Sequence, residues 1–166
     1  MSFLPTPLHP AVVHFPIVFA VLAPIFAIGA LIAIRRGSRP LVAWGMTTVL
    51  VAGLAGSSWL ALETGEQQED RVEAVVPEPA FEAHEESAEA FLAASIALLA
   101  ITLVGFAPRG VGTAGRALTV VGAVVLMGMG YRVGHSGGAL VYEHNAGAAY
   151  AAPGGDVSVV RPSRPR

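Results

Sequence analysis

Four long runs of apolar residues constrain this chain more than any other feature of its sequence. They cover residues 11–34, 41–62, 91–107 and 117–134. A helix needs about 20 consecutive apolar residues to cross the roughly 30 Å of hydrocarbon in a bilayer. Charged residues make up 13% of the chain, against about 25% in an ordinary soluble domain. The sequence therefore predicts an all-α integral membrane protein, a four-helix bundle embedded in the lipid bilayer.

The arginine residues indicate how this bundle is oriented. The short loops 35–40 and 108–116 hold five arginines and no acidic residue. Cytoplasmic loops are enriched in basic residues, so we expect both loops inside and both termini on the outer, periplasmic side of a bacterial inner membrane. The first apolar run has its arginines after it, the wrong polarity for a cleaved signal peptide.

The acidic residues lie mainly in the predicted outer loop, residues 63–90, which holds ten of the twelve in the chain. We interpret them first as a solvated face that helps to set the topology. A stretch at near-helical spacing, Glu63 to Glu73, predicts one amphipathic helix there, broken afterwards by Pro77 and Pro79. Helix formers from Ala83 to Glu89 predict that the third helix begins before it enters the membrane.

The positions of the glycines predict where helices pack closely and where the chain turns. Small residues at four-residue spacing, Ala52 with Gly56 and Gly130 with Gly134, predict close helix contacts, to which Gly122 and Gly128 are expected to contribute. The pair 137–138 is expected to turn the chain after the fourth span, with residues 139–142 forming a short strand or lying along the outer face. No internal repeat is evident. Residues 1–150 form the predicted membrane domain, and 151–166 a disordered tail.

Histidine is the residue type that carries chemistry in this chain. The predicted topology places all five histidines on the outer side of the membrane, and three different helix ends contribute them. A histidine inside a span is costly unless it faces protein, water or a ligand. Facing helices of a bundle are also where cofactor sites are built. The histidines concerned are His9, His14, His84, His135 and His144.

We interpret these imidazoles as ligands of a haem b. The chain has no cysteine, so imidazole and carboxylate are the remaining ligand types, and two imidazoles in an apolar bundle suit bis-histidine haem. His14, His84 and His135 are the first candidates because of their similar predicted depth. Arg132, one turn before His135, is a candidate partner for a propionate. His9 and His144 are candidates for a supporting role or a second site.

Two alternatives use the same residues differently. In one, His14, His84 and His135 with nearby glutamates bind a zinc, copper or iron ion. In the other, the histidines only satisfy helix ends, and the protein is a structural subunit or scaffold. No HExxH spacing supports catalytic zinc, so an electron carrier or accessory subunit is favoured over an enzyme. The net charge of -2 and scattered arginines argue against nucleic-acid binding.

Two end motifs resemble those of an uncharacterised family of bacterial membrane proteins. The first is Leu8-His9-Pro10-Ala11-Val12-Val13-His14-Phe15-Pro16, and the second runs from Gly134-His135-Ser136-Gly137-Gly138 to His144. The resemblance also takes in Thr64-Gly65-Glu66 and His84-Glu85. It implies a four-helix membrane domain, joined in some relatives to Rieske or cytochrome c domains. That association favours a redox function. The expected partner is a respiratory or photosynthetic complex, or a periplasmic redox protein.

Overall fold

The computed structural model describes residues 7–150, and every regular element within them is helical. This confirms the predicted all-α class. The predicted disordered tail, residues 151–166, lies outside the described residues. The elements are α1 (His9–Val12), α2 (His14–Arg35), α3 (Pro40–Glu66), α4 (Glu69–Glu73), α5 (Glu78–Val104), α6 (Arg109–Tyr142) and a 3-10 helix (Ala146–Tyr150).

Proline and glycine set several of these boundaries. α3 and α5 each have a proline in the first helical turn, Pro40 and Pro79, where a missing N–H costs nothing. α2 is followed by Gly37, whose φ of 97° is left-handed and lets Ser38 donate its N–H to the Ala33 carbonyl at 3.0 Å. Pro16 has no N–H for the carbonyl four residues earlier, which accounts for the break between α1 and α2.

Four long helices, α2, α3, α5 and α6, pack as an antiparallel bundle. Helix α2 contacts α3 and α6, and α5 contacts the same two neighbours, so α2 and α5 are diagonal. All four are long and apolar enough to cross a membrane. The core at mid-bundle consists of Ala20, Ala23, Leu50, Val51, Leu54, Phe91, Leu98, Ala123 and Leu126.

The outer surface of the bundle is apolar as well. Large side chains such as Phe15, Val49 and Leu118 are more than half exposed, which for a protein in water would leave large hydrophobic patches uncovered. In hydrocarbon these side chains are solvated by lipid, whereas backbone polar groups must pair internally. The surface therefore agrees with the predicted membrane location.

The two ends of the bundle differ in composition. One end, which we call the histidine end, is formed by the start of α1, the end of α3, the start of α5 and the end of α6. The other, the arginine end, is formed by the α2–α3 and α5–α6 connections, residues 36–39 and 105–108. The sequence prediction that all histidines share one end of the bundle is confirmed.

Helix α6 corrects the prediction for the region after the fourth span. The chain does not turn at Gly137 and Gly138, and residues 139–142 form no strand, because α6 continues unbroken to Tyr142. Tertiary contacts hold this last part in helical form: Leu140 is buried with Val76 and Ala146 in a small apolar cluster. The acidic region also differs from prediction, since α3 runs on to Glu66 and a separate short helix follows.

The arginine end is closed by a buried tryptophan. Trp44 is fully buried and donates its indole N–H to the Thr102 carbonyl at 2.9 Å. Arg116 lies over the indole, with 5.9 Å from its guanidinium carbon to the ring centroid, and donates to the Gly105 carbonyl at 2.8 Å. The indole packs directly over Gly105, where a side chain would overlap it.

Glycines let α6 approach the end of α5 at this closure. A β-carbon on Gly115 would lie 2.9 Å from the backbone nitrogen of Gly105 and from the backbone carbon of Val104. Small residues at helix contacts have this effect generally. Of the glycines predicted from spacing, Gly122 faces Leu98 and Gly130 faces Phe91, which confirms their predicted role in helix contacts. Gly56, Gly128 and Gly134 have open space at the β-carbon position, so for these three the predicted role was wrong.

We expect Gly115→Ala to destabilise the bundle by about 1–3 kcal/mol, because its methyl group meets backbone atoms that cannot rotate away. Gly128→Ala is the matched control on the same helix, and we expect it to be neutral or to stabilise by up to about 1 kcal/mol through helix propensity. Unfolding of the detergent-solubilised protein in increasing dodecyl sulfate measures both. Equal effects of the two variants would contradict the packing described here.

Candidate functional site

The five histidines of the histidine end differ in exposure. His9, His84 and His144 are half-buried, whereas His14 and His135 are exposed. His9 and His84 are each hydrogen-bonded across to a neighbouring helix. These two residues form the centre of the candidate site.

His9 is held by the last two turns of α3. Its Nδ1 lies 2.8 Å from the carbonyl oxygen of Ala61 and 3.4 Å from the hydroxyl of Thr64. Because a carbonyl can only accept, Nδ1 carries the hydrogen. The ring rests on Gly65, where a β-carbon would lie 3.2 Å from the histidine Cε1.

His84 is held by α6 in the same way. Its Nδ1 lies 2.9 Å from the hydroxyl of Ser136, and that hydroxyl donates its own hydrogen to the Val133 carbonyl at 3.0 Å. The serine therefore accepts from the histidine, and Nδ1 again carries the hydrogen. The ring rests on Gly137, where a β-carbon would lie 3.0 Å from Cε1.

The two histidine environments are repeats of each other. The residues that surround the two rings have the same spacing along the chain. They are Ala61, Thr64 and Gly65 around His9, and Val133, Ser136 and Gly137 around His84. One set belongs to the hairpin of α2 and α3, the other to the hairpin of α5 and α6. No internal repeat is evident in the sequence, and the structure corrects this for the surroundings of the two histidines. The repeated features are a carbonyl, a hydroxyl and a glycine. The segments that supply them, residues 61–65 and 133–137, have only the glycine in common.

This arrangement leaves both Nε2 atoms available to a ligand. With the hydrogen on Nδ1, the neutral imidazole has its free electron pair on Nε2, the state in which histidine binds metals. Fixing the other nitrogen by a carbonyl or hydroxyl orients the ring and selects the tautomer. Within residues 7–150, no hydrogen bond occupies the Nε2 atom of His9 or His84.

The other predicted site residues lie elsewhere. His135 is stacked on Tyr131, with ring centroids 5.9 Å apart and 3° between the planes, and both side chains are exposed. His14 is likewise exposed, and His144 follows the end of α6. Within the described part of the chain, no three His, Cys, Asp or Glu side chains are placed to hold a metal ion. His14, His84 and His135 therefore do not form the three-histidine site for which they were candidates.

Arg132 lies on α6 one helical turn before Ser136, the residue that holds His84. It lines an open depression of about 240 Å³ on the side of the bundle between α5 and α6, together with Glu86, Ser87, Ala90 and Met129. The position is one turn from His135, as predicted, but the guanidinium is exposed.

Sequence reasoning missed the residues that hold the imidazoles. Thr64, Gly65 and Ser136 enter the sequence analysis only within motifs of the resemblance, and Gly137 there and as part of a predicted turn. The sequence does contain a usable signal, because Thr64-Gly65 and Ser136-Gly137 are each a hydroxyl residue followed by glycine, one residue beyond the end of an apolar run. Predicted depth places His14 ahead of His9, whereas the cross-helix bond from His9 to Ala61 depends on tertiary packing.

The bundle and its two-histidine end define a class of protein, a four-helix membrane protein with a repeated imidazole site. The model of the family described as Predicted membrane protein (DUF2231) matches residues 5–150. The chain therefore belongs to this family, which confirms the resemblance drawn from the motifs. No curated protein and no solved structure matches the chain.

We expect Gly137→Ala to displace the His84 ring, because the new methyl group would lie 3.0 Å from its Cε1, closer than carbon atoms pack. The adjacent Gly138→Ala is the control, since nothing lies within 4 Å of a β-carbon there. Nitrogen-15 NMR of the labelled imidazoles measures the effect: His84 should lose its Nδ1–H signal pattern in the first variant only. The same change in both variants would contradict this geometry.

Proposed function

We propose that this protein is a membrane electron-transfer protein, working alone or as a small subunit of a larger redox complex, and that it binds a haem b through His9 and His84. One observation carries the proposal. Two imidazoles from different hairpins have their Nδ1 atoms fixed by protein acceptors, which leaves both Nε2 atoms as ligands for one metal centre.

The number of ligands favours haem over a bare ion. A structural zinc site takes four protein ligands and a catalytic one takes three, and no such group exists among residues 7–150. A haem brings four ligands of its own, so two axial imidazoles complete its coordination. When bound, it would supply reversible one-electron chemistry.

The residues of this chain would orient the two imidazoles that hold the haem. The Ala61 carbonyl and the Ser136 hydroxyl would hold the two rings through Nδ1, which also increases the basicity of Nε2. The glycines under the rings let them pack directly against the helix backbone. The location at one end of the bundle supports exchange of electrons with a partner outside the membrane.

A visible spectrum of the detergent-purified protein tests this proposal. We expect a Soret band, and split α and β bands after reduction. Replacing either His9 or His84 by alanine should abolish these bands, because bis-histidine ligation needs both. His14→Ala and His135→Ala are matched controls with exposed imidazoles and should retain them. Circular dichroism shows whether each variant keeps its helices.

Other outcomes distinguish the alternatives. A colourless protein with one equivalent of bound metal would support the ion-binding alternative. A colourless, metal-free protein that loses stability in His9→Ala and His84→Ala would support the scaffold alternative. One observation also favours the scaffold hypothesis, because both histidines connect one helix to another through the hydrogen bonds described above.

We also propose that the histidine end faces the periplasm and the arginine end the cytoplasm of a bacterial inner membrane, following the distribution of arginine. The chain contains no cysteine, so single cysteines report on topology directly. We expect Gln67→Cys, at the histidine end, to react in intact spheroplasts with a maleimide that cannot cross the membrane, and Ser38→Cys to react only after lysis. The reverse pattern would invert the proposed orientation.

A further inference from the structure

The depression between α5 and α6 has the chemistry of a specific lipid site. It offers one carboxylate, Glu86, one guanidinium, Arg132, and the hydroxyl of Ser87, over a floor formed by Ala90 and Met129. It opens to the side of the bundle, between α5 and α6. It lies about one helical turn from the contact between His84 and Ser136 on the same two helices.

The charge-free part of α6 is short. In α6 the residues between Arg116 and Arg132 carry no charge and span about 22 Å at 1.5 Å per residue. This is shorter than the roughly 30 Å of hydrocarbon in a bilayer. In α5 the charge-free run is longer, from Ala90 through the end of the helix to Pro108.

The opposite hairpin matches the bilayer more closely. In α2 the residues between His14 and Arg35 carry no charge and span about 30 Å. In a bundle centred in the bilayer, the short charge-free stretch of α6 would place Arg132 near the boundary between lipid headgroups and acyl chains. A charge at that depth needs a partner of opposite sign.

The geometry points to a zwitterionic phospholipid with a primary amine, of the phosphatidylethanolamine class, as the occupant of this depression. Its phosphate would pair with the Arg132 guanidinium, a favoured combination. Its ammonium would donate to the Glu86 carboxylate. An acyl chain would follow the apolar floor at Ala90 and Met129.

Headgroup chemistry separates this lipid from others. A quaternary ammonium, as in phosphatidylcholine, has no N–H to donate to Glu86. A phosphatidylglycerol headgroup offers the phosphate but no positive charge to the carboxylate. The depression should therefore prefer the primary amine, by roughly tenfold if the extra charge-assisted bond contributes about 1.4 kcal/mol.

Native mass spectrometry of the full chain released from detergent tests the preference. The protein is equilibrated with equal amounts of phosphatidylethanolamine, phosphatidylglycerol and phosphatidylcholine, and the retained lipid is counted. We expect the wild type to retain phosphatidylethanolamine preferentially. Arg132→Gln should lower retention of all three lipids, whereas Glu86→Gln should remove only the preference for the amine.

Matched controls are the exposed residues Glu82, one turn before Glu86, and Arg71 on α4. Glu82→Gln and Arg71→Gln should behave as wild type. Retention that is the same in Arg132→Gln as in Arg71→Gln would overturn the proposal. Displacement of the lipid by an equal concentration of glycerophosphoethanolamine or inorganic phosphate would also overturn it, because the site would then bind a free phosphate and not a lipid. None of these readouts depends on whether haem is bound.

Discussion

Hydrocarbon offers no hydrogen-bond partner to a polar group, and this constraint governs the whole structure. It makes each span a continuous helix, because only then are the backbone groups of the span paired internally. It also governs the few polar residues in the core. Ser58, Ser95 and Thr102 are buried, and each returns its hydroxyl hydrogen to the carbonyl four residues earlier at 2.7 Å. In the described part of the chain no buried side-chain polar atom is left without a partner.

Where helices meet, glycine decides which groups touch. At the arginine end it allows the Trp44 indole to lie against Gly105 and brings α6 onto the end of α5. At the histidine end Gly65 and Gly137 support the two imidazoles. In both places the absent side chain brings a ring against a helix backbone. The N–H of the ring then reaches an acceptor on that helix. The acceptor is a backbone carbonyl for Trp44 and His9, and a hydroxyl for His84.

The paired histidine environments give the molecule an approximate internal symmetry. Each hairpin supplies one imidazole, one hydroxyl residue and one glycine at the same end of the bundle. A pair of equivalent ligands suits a single centre that binds from two sides, the basis of the haem proposal. The same bonds tie helices together, so the proposed ligand binding and the stability of the bundle depend on the same residues. The charged depression lies outside this symmetry, because α6 alone has a short charge-free stretch.

The sequence by itself determined the helical class, the four spans and the gathering of the histidines at one end. These follow from apolar run length and from the alternation of antiparallel helices, which need no knowledge of side-chain contacts. Depth placed His14, His84 and His135 first among the candidates, but depth along a helix does not specify the direction a side chain faces. Only tertiary packing decided that His9 and His84 point to neighbouring helices while His14 and His135 are exposed. It also decided which glycines make contact and kept α6 helical through Gly137 and Gly138. The physical reason is that rotation of each helix about its axis is fixed by the groups it packs against, which are distant in sequence.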